Sequence, residues 1–251
     1  MEFIISTGNT RHDKYWKKRT VTWDEFVKKL SRTTYTRETQ DEFRHMKKKQ
    51  QDDIKDVGGY IAAELKDGRR LNENIESKTM LSLDVDYAKS PDAYIADIKL
   101  NFKYASCTHS THSHASEKPR LRTVAPFSRP VSADEYQAIS RMVAFEIGME
   151  YFDEASFKPS QFMYWPSTPS DGEYVFEEMK GPFLDPDVIL AKYDNWKDIS
   201  SWPGSDRQGD VAQRERKKQQ DPLSKSGLIG AFCRSYTIRE AIETFLPEVY
   251  E

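Results

Sequence analysis

Apolar positions along this chain follow two rhythms. In Thr22-Trp23-Asp24-Glu25 a threonine and a glutamate three residues on form a capping box, and Phe26, Val27 and Leu30 follow at helical spacing. Ser132-Ala133-Asp134-Glu135 is a second box, opening a helix whose one face carries Tyr136, Ile139, Val143 and Ile147. Thr237-Ile238-Arg239-Glu240 is a third, and Pro91 to Ile98 reads as a helix with proline in its first turn. The period-two or short apolar runs predict strands at Glu2–Thr7, at Tyr60–Leu65 up to a turn at Asp67-Gly68, and at Met80–Asp86. Further strands are expected at Tyr104–Thr108, Leu121–Ala125, Gln161–Ser167 and Tyr174–Phe176, and Tyr151-Phe152-Asp153 reads as one more apolar strand ending in an acid. Residues 36 to 55 are highly charged and sparsely apolar, an exposed helix or an ordered excursion. Without a regular βαβ repeat, the expected fold is α+β with a central, mainly antiparallel sheet.

Composition refines the organisation. With 251 residues there is room for one large core plus a small appendage. Residues 196–221 are rich in Ser, Gly, Gln, Arg and Lys and read as a linker, so the expected plan is a domain at 1–195, that linker, and a small helical module at 222–251. The module is short for a domain, and continuation of the natural chain past Glu251 is expected. The net charge of -3 excludes a globally basic nucleic-acid coat. Basic residues cluster instead, at 14–19, 47–49, 69–70, 118–122 and 214–218. Cys107 and Cys233 support neither a disulfide framework nor a zinc ribbon. No signal-peptide core and no apolar run near the ~20 residues of a membrane span occur, so a cytoplasmic protein is expected.

Candidate chemistry begins at Met80-Leu81-Ser82-Leu83-Asp84-Val85-Asp86. On a strand, Asp84 and Asp86 share a face while Val85 points the other way. Two carboxylates converging at a strand end repel each other unless a hard divalent cation lies between them. Three histidines follow in Cys107-Thr108-His109-Ser110-Thr111-His112-Ser113-His114, a polar loop or a partial zinc site that lacks a second ligand pair. Arg120 and Arg122 share a face in the same way as the aspartates; with Lys118 they offer donors for phosphate oxygens. Asp153, with Glu154 as its alternative, is the remaining carboxylate of interest.

Taken in order, Leu83-Asp84-Val85-Asp86, Ser110-Thr111-His112 and Phe152-Asp153 resemble the three catalytic motifs of the archaeo-eukaryotic primase (AEP) superfamily. The stretches Glu117-Lys118-Pro119-Arg120-Leu121-Arg122, Ser128-Arg129-Pro130-Val131 and Met163-Tyr164-Trp165-Pro166-Ser167 are similar to the primase-polymerase region of phage and mobile-element replication proteins, which often precedes a helicase of the virulence-associated E type. The resemblance implies an RRM-like catalytic core over roughly residues 1–195, with the Gly227–Tyr250 segment similar to the helical module that follows such cores. It further implies Asp84, Asp86 and Asp153 as Mg²⁺ or Mn²⁺ ligands, and Ser110, His112, Lys118, Arg120 and Arg122 as the nucleotide-binding set. The partners implied are single-stranded DNA, nucleoside triphosphates and a helicase on the same or another chain. No Walker motif occurs in the sequence. Two rival readings are a rolling-circle nuclease of HUH type, using His112-Ser113-His114, and a non-catalytic module that binds origin DNA.

Overall fold

The structure, a computed structural model, describes residues 1–205, 232 and 235–245. The first of two units, Met1–Pro203, runs in chain order through β1 (Glu2–Gly8), β2 (Lys17–Thr22), α1 (Trp23–Leu30), β3 (Thr34–Tyr35), α2 (Gln40–His45) and α3 (Lys48–Ile54). It continues with β4 (Gly59–Ile61), β5 (Ala63–Leu65), β6 (Ile75–Val85), α4 (Pro91–Asn101), β7 (Ser106–Ser110), β8 (Leu121–Val131) and α5 (Ala133–Ile147). Last come β9 (Met163–Tyr164), β10 (Ser167–Thr168), β11 (Phe176–Met179) and α6 (Pro186–Leu190). In the second unit the described element is α7 (Ile238–Phe245), where Thr237 and Glu240 exchange the hydrogen bonds of the expected capping box. The remainder of the expected linker and module lies outside the described residues.

The fold is mixed α+β. A four-stranded sheet, β2-β1-β4-β9, and a five-stranded sheet, β11-β7-β8-β6-β5, are antiparallel throughout, and a short parallel pair joins β3 to β10. One expected strand, Tyr60–Leu65, is in fact two: the chain leaves the first sheet at Ile61 and enters the second at Ala63. Strand alternation divides β6 between two cores. Leu81, Leu83 and Val85 join Leu121, Ala125 and Phe127 of β8 under α4 and α5. Met80 points the other way with Cys107 and Val124, toward Phe3, Phe26, Leu30 and Tyr60 of the first sheet and α1. The even-numbered face of β6, with Asp84 at its end, therefore looks into the space between the sheets.

Both expected capping boxes of this unit form, at Thr22/Glu25 and Ser132/Glu135, and α4 carries Pro91 at its start. Gly148 ends α5 at φ +134°, a conformation that suits glycine and redirects the chain toward the end of β6. The expected strand at Tyr151–Asp153 is corrected here. Residues Met149–Tyr151 and Glu154–Phe157 are 3₁₀ turns, and Phe152 makes only an isolated bridge to Val85. This unit also runs past the expected boundary at 195, because Trp196 and Trp202 pack against the main core. No described helix is long and apolar enough to cross a membrane.

Candidate active site

β6 and β8 are antiparallel neighbours in which Asp84 lies directly opposite Arg122. Facing residues in such a pair project from the same side, so the acid and the base meet across the ladder. Arg122 Nε donates to Asp84 Oδ1 at 2.6 Å, and its Nη1 donates to the Tyr164 carbonyl at 3.0 Å. Two residues on, Arg120 pairs with Asp86. The aspartate pair and the arginine pair are thus two rungs of one charge ladder at the edge of a cavity of about 800 Å³.

The 149–157 segment brings the third carboxylate. Asp86 N donates to the Tyr151 carbonyl at 3.0 Å, Asp153 N to the Asp84 carbonyl at 2.9 Å, and Asp84 N to Ser156 Oγ at 2.7 Å. Asp153 enters the same cavity. Its proton affinity is raised, first by burial and then by the negative charges of Asp86 and Asp84. The three carboxylates offer only oxygen donors, a set suited to a hard divalent cation, and the raised Asp153 is the strain such a cation would relieve. Among the described residues, however, no three acidic, histidine or cysteine side chains are already gathered as an ion's ligands, because Asp84 and Asp86 each face an arginine.

His112 also lines the cavity and is buried. Its Nδ1 is 2.8 Å from Ser167 Oγ, its Nε2 is 3.0 Å from Glu38 Oε1, and the Phe43 ring packs 4.5 Å from its own. Burial lowers the imidazole's pKa, with Glu38 opposing that effect. Lys118, Arg120 and Arg122 line the same cavity, α2 and α3 add Arg44 and Lys48, and Lys55 follows directly after α3. The exposed Arg44 pairs with Glu117.

Ser110 is the expected site residue that does not reach the cavity lining. Its Oγ accepts from Val175 N at 3.0 Å, which ties β7 to the strand beside it. The zinc reading fails locally: Cys107 is buried in the core between the sheets, and His114 Nδ1 accepts from Arg120 N. His109, which also lines the cavity, is held near a pKa of about 4 by burial and then by the Arg122 charge. Of the other basic clusters, Arg70 lies near the Trp16 and Phe162 rings and Arg69 near Tyr15; Phe162 lines the cavity, but neither arginine does. Glu38, Phe43 and Lys55 have no individual signal in the sequence, and Ser167 is marked only as the end of the Met163–Ser167 segment, with nothing to tie it to His112. They reach the site through contacts more than fifty residues long or from the charged 36–55 excursion.

A model of the VapE N-terminal domain matches residues 1–205. No curated protein matches the chain. Among solved structures, the AEP domain of the cyanophage S-2L primase-polymerase is similar at 16% identity, over 76% of this chain and 87% of that one, with a TM-score of 0.42. Primase RepB' is similar at 11% identity, over 99% of this chain and 72% of that one, with a TM-score of 0.40.

Proposed function

Because the chain belongs to the VapE N-terminal domain family, we propose that its first unit is a primase-polymerase that joins nucleotides on a single-stranded DNA template. The observation that carries this reading is the cavity itself. Its lining gathers Asp84, Asp86 and Asp153 with Arg120, Arg122, Lys118 and His112, in a volume suited to a nucleoside triphosphate. Acids and bases interleaved in one pocket match a metal-bound triphosphate better than they match a neutral ligand or bare nucleic acid.

In this reading Asp84, Asp86 and Asp153 hold Mg²⁺ or Mn²⁺. When bound, the cations supply a lowered pKa at the attacking 3′-hydroxyl and charge neutralisation at the departing pyrophosphate. Arg120, Arg122 and Lys118 bind and orient the phosphates, Arg122 from a position fixed by the Tyr164 carbonyl. The Ser156 hydroxyl and the 3₁₀ segment keep Asp84 and Asp153 in register with one another. Catalysis by such a site is positioning and electrostatic stabilisation. The partners in this reading are template DNA, nucleoside triphosphates and a helicase on the same or another chain.

The test is primer synthesis on single-stranded DNA with labelled nucleotides and Mg²⁺ or Mn²⁺. Product is expected from the wild type and none from Asp84→Ala/Asp86→Ala. Metal-independent DNA binding without product would leave only an origin-binding module, and strand nicking would establish a nuclease.

A further inference from the structure

His112 and Ser167 line the cavity and are joined, away from its lining, to Glu38. Of this chain of three side chains from three separate segments, the nucleotidyl-transfer reading uses only His112. Glu38 precedes α2. Its carbonyl is clamped by Ser170 N at 2.8 Å and Ser170 Oγ at 3.0 Å, and its carboxylate accepts from Thr36 Oγ1 at 2.6 Å. The same carboxylate oxygen faces His112 Nε2 at 3.0 Å, and Ser167, from β10, faces His112 Nδ1 at 2.8 Å. Glu38, His112 and Ser167 are all nine-tenths or more buried. The parallel pairing of β3 with β10, continued by Thr36 N to the Thr168 carbonyl at 2.9 Å, brings the two ends of this chain together.

The protonation pattern follows from the groups. A carboxylate only accepts, so Nε2 carries the hydrogen; in neutral imidazole Nδ1 is then an acceptor, and the Ser167 hydroxyl donates to it. A phosphate oxygen is also an acceptor and cannot pair with that Nδ1. To bind phosphate there, His112 must take a proton from solvent onto Nδ1 while the Ser167 hydroxyl turns away. The resulting imidazolium lies between two anions, one of which the protein supplies in advance.

We propose that Glu38 is a positioning residue which fixes the Nε2–H form of His112 and makes it bind the nucleotide's phosphates as an imidazolium, so that nucleotide binding takes up a proton. The proposal rests on the nucleotide-binding reading above. Two charged groups act on the imidazole from the packed segments: Glu38, which favours its charged form, and Lys55, directly after α3, which opposes it. Phe43 of α2 contributes an apolar ring. Burial is the largest influence and disfavours the charged form, so Glu38 is the charged neighbour that offsets it.

The test combines nitrogen-15 NMR of the His112 ring with calorimetry of a non-hydrolysable nucleoside triphosphate and Mg²⁺, in buffers of different ionisation enthalpy. In the free wild type the ring is expected as the neutral Nε2–H tautomer, and in the complex as imidazolium, with close to one proton taken up at pH 7.5. Glu38→Gln is expected to weaken nucleotide binding roughly tenfold and to abolish most of that uptake, with kcat within about twofold of wild type. Ser167→Ala, which removes the competing hydroxyl, is expected to tighten binding two- to threefold. An Nδ1–H tautomer in the free protein, a neutral ring in the complex, or unchanged affinity in Glu38→Gln each overturns the proposal. These ring signals are read on the wild type, so the proposal stays open to refutation if a variant fails to fold. Failure of the wild type to bind nucleotide would overturn the primase reading itself, and the free-protein tautomer distinguishes the two failures.

Discussion

Lys78, in the middle of β6, is 1% exposed and has no carboxylate partner among the described residues; its ammonium lies 4.4 Å from the centre of the Tyr136 ring. Burial lowers its pKa to about 7. The unfolded chain binds a proton at this lysine up to about pH 10.4, whereas the folded chain gives it up near 7. Between those values the unfolded state holds more protons, so stability rises with pH through this window. Lys78→Met is therefore expected to stabilise the protein by about 4 kcal/mol at pH 7 and about 2 kcal/mol at pH 9, since one pKa unit is worth ~1.4 kcal/mol. Urea unfolding at both pH values checks this, and equal stabilities of variant and wild type at pH 7 would refute it. Asp153 carries a related cost with opposite chemistry. Its folded pKa is raised, so it favours folding below the unfolded carboxylate value and loses that contribution as pH climbs through the raised one. Asp153→Asn keeps the shape and removes the charge; it is expected to raise the melting temperature of metal-free protein at pH 7 while abolishing primer synthesis. A lowered melting temperature would show that the carboxylate is structural.

Among the elements, the junction of β4 with β9 sets the cavity's inner edge. Gly59 pairs with Tyr164, and a Cβ on it would collide with the Phe162 ring and the Met163 carbonyl. Gly59→Ala is expected to cost about 2–3 kcal/mol, in the range of overpacked cores, and to displace the Tyr164 carbonyl that holds Arg122. A drop in thermal stability together with a raised KM for nucleotide would be observed; an unperturbed KM would separate this strand pair from the site. Nothing in Gly58-Gly59 read as sequence reveals this, because the colliding groups lie over one hundred residues away. By contrast β6, α1 and α5 are legible, since their apolar period and capping residues are local. The two-residue strands β9 and β10 exist only because a partner strand is present, and Phe152-Asp153 is held by single hydrogen bonds to β6 that no periodicity encodes. Site residues divide in the same way. Asp84, Asp86, Arg120 and Arg122 share faces through period two, whereas the pairing of Glu38 and Ser167 with His112 is defined only by the fold that brings them together.

For the molecule as a whole, the charge ladder predicts how ligands act on stability. Asp84 and Asp86 are neutralised by Arg122 and Arg120 in the ligand-free chain. In the proposed reading the same aspartates hold cations and the same arginines hold phosphates, so each ligand alone must break ion pairs that the other would compensate. Arg122, 5% exposed and fixed to the Tyr164 carbonyl, cannot turn to bulk water when its aspartate is taken. A charge left buried and unpaired is expensive. Metal and nucleotide should therefore bind cooperatively, with a coupling of about 1–3 kcal/mol, typical of linked sites. Thermal unfolding with Mn²⁺, with a non-hydrolysable nucleotide, with both and with neither reads this directly, because each ligand that binds the folded state raises the melting temperature. The combined shift is expected to exceed the sum of the separate shifts by roughly 2–12 °C, at 2–4 °C per kcal/mol for a chain of this size. Arg120→Ala should reduce that excess by freeing Asp86 in advance, and Mn²⁺ alone should then stabilise the variant more than the wild type. Strictly additive shifts in the wild type would mean that the arginines keep their aspartates when ligands bind, and the ladder would be a structural brace instead of an exchange site.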